Sequence, residues 1–204
     1  MRRPAGIAVA IWLMCAPLPS DGQALEVSPF IGYRFGGGFF ERVTGQAVDL
    51  DGARAVGAVV DVRVGDGLFV EGLVTHQSAR VTVPAGLFAP PVTWRITVDH
   101  WQGGGLQEFG LGTRVRPFAT GLLGLTRYAG AGDDEIRFTV SGGGGVKLMP
   151  TRRIGVRLDG RVFATFAYVD AQVLDCGPGV CLSRIYADIV WQAEFSAALV
   201  VAFP

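Results

Sequence analysis

Residues 153–169 read RIGVRLDGRVFATFAYV. Ile154, Val156, Leu158, Val162 and Ala164 take alternate positions, with Arg157, Asp159, Arg161 and Thr165 between them. Successive side chains of a strand point to opposite faces, so the stretch predicts a strand with one apolar and one strongly charged face. In a water-soluble sheet the apolar face is buried. In a membrane barrel it meets lipid and the charges are enclosed. Alternation leaves both arrangements open, and the rest of the chain has to decide.

The same pattern recurs. In ARAVGAVVDVRVG, Ala58, Val60, Val62 and Val64 oppose Val59, Asp61 and Arg63. In EIRFTVSGGGGVKL, Ile136, Phe138, Val140, Val146 and Leu148 oppose Arg137, Thr139, Ser141 and Lys147. In IVWQAEFSAALVVAF, Trp191, Ala193, Phe195, Ala197, Leu199, Val201 and Phe203 oppose Gln192, Glu194 and Ser196. Strands are predicted at about 26–35, 54–64, 68–79, 93–107, 113–128, 135–148, 153–168 and 185–203. The fourth shows no clean alternation. Most exceed the usual soluble strand of about 5–6 residues and suit the roughly 9–11 that a tilted strand needs to cross a bilayer.

The connections alternate in length. Long ones, at about 36–53, 80–92 and around DCGPGVCL, and the medium AGAGDDE alternate with tight turns at Gly65-Asp66-Gly67, Phe109 to Gly112 and Pro150-Thr151-Arg152. Long loops at one end and short turns at the other are the pattern of an outer-membrane barrel. The expected fold is an all-β, eight-stranded antiparallel up-and-down transmembrane barrel over residues 25–204.

Arg2 and Arg3 precede the apolar run GIAVAIWLMCAPLP and then SDGQA. This pattern predicts a signal peptide over residues 1–24, with cleavage expected after Ala24. Met14 before Cys15 does not suit a lipoprotein signal. Cys176 and Cys181 then form an even pair in an exported chain, which reads as a disulfide pinning a loop. The 18 basic and 18 acidic residues balance, which argues against a nucleic-acid partner. No metal or other cofactor is expected.

Eight strands enclose a lumen that side chains fill. Enclosed charges have to be paired. The expected lumen network is Asp61, Glu71, Asp159 and Glu194 with Arg63, Arg116, Arg137, Lys147, Arg157 and Arg161. On this reading Arg157, Asp159 and Arg161 face the lumen and Ile154, Val156 and Leu158 face lipid. The glycine runs at 36–38, 103–105 and 142–145 lack the Lys-Ser/Thr of a phosphate loop. They read as places where large lumen side chains pack close to the backbone.

PFIGYRF, RPFATGLLGL, SGGGGVKL and GVRLDGRVF resemble the eight-stranded outer-membrane β-barrel superfamily typified by OmpA-like and small porin-like barrels. The resemblance covers the mature chain. It implies a Gram-negative-type outer membrane, with outer-membrane lipids and lipopolysaccharide as surroundings and a monomeric state. It also implies insertion by the barrel-assembly machinery, whose signal Phe195, Ala197, Leu199, Val201 and Phe203 match. Here Pro204 follows the closing aromatic.

The leading expectation is a closed, non-enzymatic barrel with a structural or surface-interaction role through its long loops and an unspecified surface ligand. His76 and Ser78, in THQSARV, form a His-x-Ser pair on the lipid-facing side. Outer-membrane lipid A deacylases are similar in using such a pair with a carboxylate that orients the His. No outward carboxylate is evident beside it in the sequence. Asp133, Asp134 and Glu135 are expected to form a solvated loop tip. A soluble lipocalin-like barrel with an apolar cavity, and a barrel with a narrow pore, also accommodate the alternating strands.

Overall fold

The computed structural model describes residues 25–41, 47–83, 92–110, 112–130, 133–166, 171–173, 183–186 and 189–203. The signal segment, Cys176, Cys181 and Pro204 lie outside the described residues.

Among the described residues, twelve strands form two sheets. The strands are β1 (Leu25–Gly36), β2 (Gly38–Glu41), β3 (Ala47–Asp49), β4 (Ala53–Gly65), β5 (Leu68–Val83) and β6 (Val92–Glu108). They continue with β7 (Val115–Gly130), β8 (Asp133–Leu148), β9 (Ile154–Phe166), β10 (Ala171–Val173), β11 (Ser183–Tyr186) and β12 (Ile189–Phe203). Eight close an antiparallel barrel in the order β1-β12-β9-β8-β7-β6-β5-β4, as the sequence predicts. The four short strands pair as β10-β11-β2-β3. This small sheet was not legible in the sequence, because strands of three or four residues are too short to display a period. It joins the first and last long connections above one rim of the barrel.

Two expectations about chain layout are corrected. The AGAGDDE segment is mostly strand: β7 runs to Gly130 and β8 begins at Asp133. Asp134 pairs with Arg127 and Glu135 with Arg137, so these acids are not a loop tip. The weakly patterned fourth strand is a long one, β6. Its inward side carries His100, Gln102 and Glu108 together with Val98 and Leu106, all buried. Mixing polar and apolar residues on one face erases the hydrophobic alternation while the geometric alternation persists.

The barrel's stagger follows from its pairing. Leu25 pairs with Val62, Val62 with Val70, Val70 with Gly105, Gly105 with Gly121 and Gly121 with Gly142. Gly142 then pairs with Val162, Val162 with Ala193, and Ala193 with Phe35. One circuit therefore returns to β1 ten residues above its start. Eight strands with that stagger tilt by about 40° and enclose a radius of roughly 8 Å. Such an interior holds side chains and little else.

Each of the eight barrel strands carries at least one large apolar residue on its outward face. Ile31, Val60, Val70, Trp101, Leu123, Phe138, Leu158 and Phe195 are all exposed examples. Inward glycines give lumen rings their space. A Cβ on Gly145 would lie 2.9 Å from the Phe118 ring, and one on Gly57 2.7 Å from the Phe30 ring.

Candidate functional site: the filled lumen and the outer rung at His76

At the short-turn end of the lumen, Lys147 Nζ lies 2.6 Å from Glu26, 3.0 Å from Asp61 and 2.9 Å from Glu108. β8 supplies the ammonium, while β1, β4 and β6 supply the carboxylates. Arg157 Nη1 reaches Asp61 at 3.2 Å, and its Nη2 reaches Glu71 at 2.8 Å and Asp159 at 2.6 Å. Arg161 donates to Glu71 at 2.8 Å and to Asp159 at 3.2 Å. Thr120 adds a hydroxyl to Glu71 at 3.0 Å. All of these side chains are buried. Each acid touches at least one cation, which is the condition under which enclosed charges are tolerated.

Aromatic rings pack into this network. Phe69 lies 4.8 Å below Lys147 Nζ and 4.9 Å from the Arg63 guanidinium. Arg157 stands 4.3 Å over Phe118. A layer of inward apolar residues follows: Phe30, Val59, Leu73, Leu122, Phe163 and Ala198. Above it Arg34 binds Glu194 at 2.6 Å and Thr75 at 2.7 Å. His100 Nδ1 meets the Thr126 hydroxyl at 2.5 Å, and its ring stacks on Phe163 at 4.5 Å. Thr126, Thr139 and Thr165 continue as a chain of hydroxyls. A last buried apolar cluster of Leu50, Ala79, Val81, Val98, Tyr128 and Val190 closes the long-loop end. Charged, apolar and polar layers thus alternate along the axis.

The ten residues expected in the lumen fall into two groups. Asp61, Glu71, Lys147, Arg157, Asp159, Arg161 and Glu194 are buried and ion-paired. Arg63, Arg116 and Arg137 are half-buried at the rims. Arg116 approaches Glu108 at 3.7 Å, Arg137 pairs with Glu135, and Arg63 stacks on Phe69. Sequence reasoning missed Glu26, Arg34, Glu108 and His100. Glu26, Ser28 and Arg34 share the inward parity of β1, so the signal was present, interrupted by Phe30 and Gly32.

On the outer wall, His76 and Ser78 are exposed. The expectation that no carboxylate stands beside them is corrected. Asp99 lies opposite His76 in the β5–β6 register, with its Oδ1 2.7 Å from His76 Nδ1. It escaped notice because neighbouring strands are not adjacent in sequence. Arg127 Nη1 lies 3.8 Å from the other Asp99 oxygen and also pairs with Asp134. The result is a charged rung across β5, β6, β7 and β8. Among the described residues no hydrogen bond joins Ser78 to His76, and no group of three or more His, Cys, Asp or Glu could hold a metal.

The sequence matches no protein-family profile and no curated protein. Among solved structures it is similar to Neisserial surface protein A, with a TM-score of 0.56 and 12% identity over 90% of this chain and 98% of that one. It is also similar to the outer membrane protein OprG from Pseudomonas aeruginosa, with a TM-score of 0.61 and 10% identity over 88% and 96%. At these identities the likeness is one of fold: the chain is an eight-stranded closed antiparallel barrel of the kind those two proteins form.

Proposed function

We propose that this chain is a non-enzymatic outer-membrane β-barrel, exported by a cleaved signal over residues 1–24, whose lumen is a rigid plug and whose long loops carry its interactions. The observation behind this is the inversion of the usual polarity. Ion pairs fill the inside, while every barrel strand exposes at least one large apolar side chain and β1, β8, β9 and β12 expose several. A soluble barrel with that exterior would aggregate. The layered packing also disfavours a ligand cavity or a conducting pore, since the apolar layers interrupt any polar path. The chain would reside as a monomer among outer-membrane lipids and lipopolysaccharide after insertion by the barrel-assembly machinery through Phe203. Cys176 and Cys181 would pin the last long loop as a disulfide.

The first test is cell fractionation followed by electrophoresis with and without boiling, then planar-bilayer recording. A heat-modifiable outer-membrane band without channel conductance is expected. A soluble periplasmic protein with no mobility shift would overturn the reading, and steady single-channel currents would overturn the plug.

One observation favours a second reading. Asp99 holds His76 through Nδ1, and Ser78 lies two residues along on the same face. This arrangement suits a general base beside a hydroxyl nucleophile at a membrane boundary, so His76, Ser78 and Asp99 are the residues of a lipid-deacylating hydrolase on this reading. Deleting the gene would then alter the acylation of outer-membrane lipid, and Ser78→Ala would fail to restore it while folding normally. An unchanged lipid profile on deletion rejects the hydrolase.

A further inference from the structure

The outer wall is not apolar to one height all round. On β8, β9 and β12 it stays apolar up to Ile136, Phe166 and Ile189. On β4, β5 and β6 the last exposed large apolar residues are Val56, Val74 and Trp101, and Arg54, His76 and Asp99 follow on the same outward parity. With a climb of about 2.5 Å per residue along strands tilted by about 40°, the apolar edge is lower on that side by on the order of 10 Å. The wall therefore has a polar notch.

Arg80 and Arg95 crown the notch. They lie directly opposite each other in the β5–β6 register, and both are exposed. Like charges in that relation destabilise a strand pair. Among the described residues neither arginine makes an ion pair. Asp99 is held by His76 and Arg127, and Asp134 by Arg127. Asp51 donates its backbone N–H to the Arg80 carbonyl at 2.9 Å and is exposed. The pair sits at the long-loop end, roughly 5–10 Å above the level of Phe35, Phe138 and Trp191. The polar zone of a phospholipid leaflet is only about 5–7 Å deep. A headgroup built of sugars extends further and reaches the arginines.

We propose that this notch binds one phosphorylated saccharide headgroup of an outer-leaflet glycolipid. A phosphate bridges Arg80 and Arg95, and the acyl chains lie along Val56, Val74 and Trp101. Guanidiniums suit this role because they donate two parallel hydrogen bonds to phosphate oxygens. The proposal rests on the outer-membrane reading above.

The test uses the full mature chain and an Arg80→Gln/Arg95→Gln variant in phosphatidylcholine vesicles. The vesicles are doped with bisphosphorylated lipid A, dephosphorylated lipid A or phosphatidylglycerol, and lipid retained after mild detergent extraction is measured by mass spectrometry. The wild-type protein is expected to retain bisphosphorylated lipid A over the other two. The variant, still heat-modifiable, should lose that retention by about ten-fold or more. Equal retention by the two proteins overturns the site. Equal retention of phosphatidylglycerol by the wild type overturns the saccharide headgroup. If the double substitution impairs insertion, the wild-type comparison of phosphorylated with dephosphorylated lipid A decides alone. A wild-type chain that does not insert overturns the outer-membrane reading as well, whereas one that inserts without lipid preference overturns only this proposal.

Discussion

Arg34 and Glu194 face each other across the β1–β12 seam. They are register partners joined by two hydrogen bonds to a single carboxylate oxygen, at 2.6 and 2.9 Å. Both are buried, so neither charge has water to fall back on. Among the described residues, Glu194→Ala leaves the guanidinium with Thr75 and the Phe163 ring, 4.8 Å away. The expected cost is about 3–5 kcal/mol. Urea unfolding in lipid vesicles, followed by tryptophan fluorescence, measures it.

Lys147 is the sole cation within ion-pair distance of Glu26 among the described residues, and it also holds Asp61 and Glu108. Lys147→Met leaves three acids facing one another and is expected to destabilise the barrel by at least as much as Glu194→Ala, by about 3–5 kcal/mol. Adding Glu26→Gln should recover part of the loss. A double-mutant cycle on unfolding free energies checks the coupling, and strict additivity would show that the contact is not energetic.

Gly145 and Gly121 make a contrast within one sheet. A Cβ at 145 would collide with the Leu158 carbonyl as well as the Phe118 ring, while nothing lies within 4 Å of one at 121. Gly145→Val is expected to cost at least about 1–3 kcal/mol and to reduce the heat-modifiable fraction. Gly121→Ala should stay within about 0.5 kcal/mol of wild type. Comparable behaviour of the two would mean that backbone clearance does not limit closure.

The outer wall should respond to charge according to depth. Leu158 sits at mid-height on β9 and Val115 at the short-turn edge on β7, both exposed. Leu158→Arg is expected to cost about 2–4 kcal/mol and Val115→Arg about 0–1 kcal/mol. Equal costs, measured by unfolding in vesicles, would argue against a bilayer around this wall.

How far the sequence revealed the molecule depended on the kind of signal. The eight barrel strands were legible because period-two alternation survives in Arg157-Leu158-Asp159 and in Glu194-Phe195-Ser196, where polar and apolar residues take turns. β6 was harder, because the lumen accepts Val98 and Leu106 as readily as His100 and Glu108. Hydropathy then stops reporting which way a side chain points. Asp99 beside His76, and Arg95 beside Arg80, were invisible for a different reason. Their proximity is set by the pairing register of β5 with β6, and register is a property of two strands. The four short strands of the second sheet depend on partners far along the chain and carry no period of their own.

The seam has a kinetic meaning. β1 cannot complete its pairing until β12 exists, so the contacts that close the cylinder join residues as distant as Leu25 and Phe203. Chains dominated by such distant contacts order slowly, because loop entropy is spent before the contacts reward it. Until closure, the growing sheet carries two open edges of unpaired backbone groups, and those edges invite pairing with other chains. Both edges stay open until β12 pairs with β1.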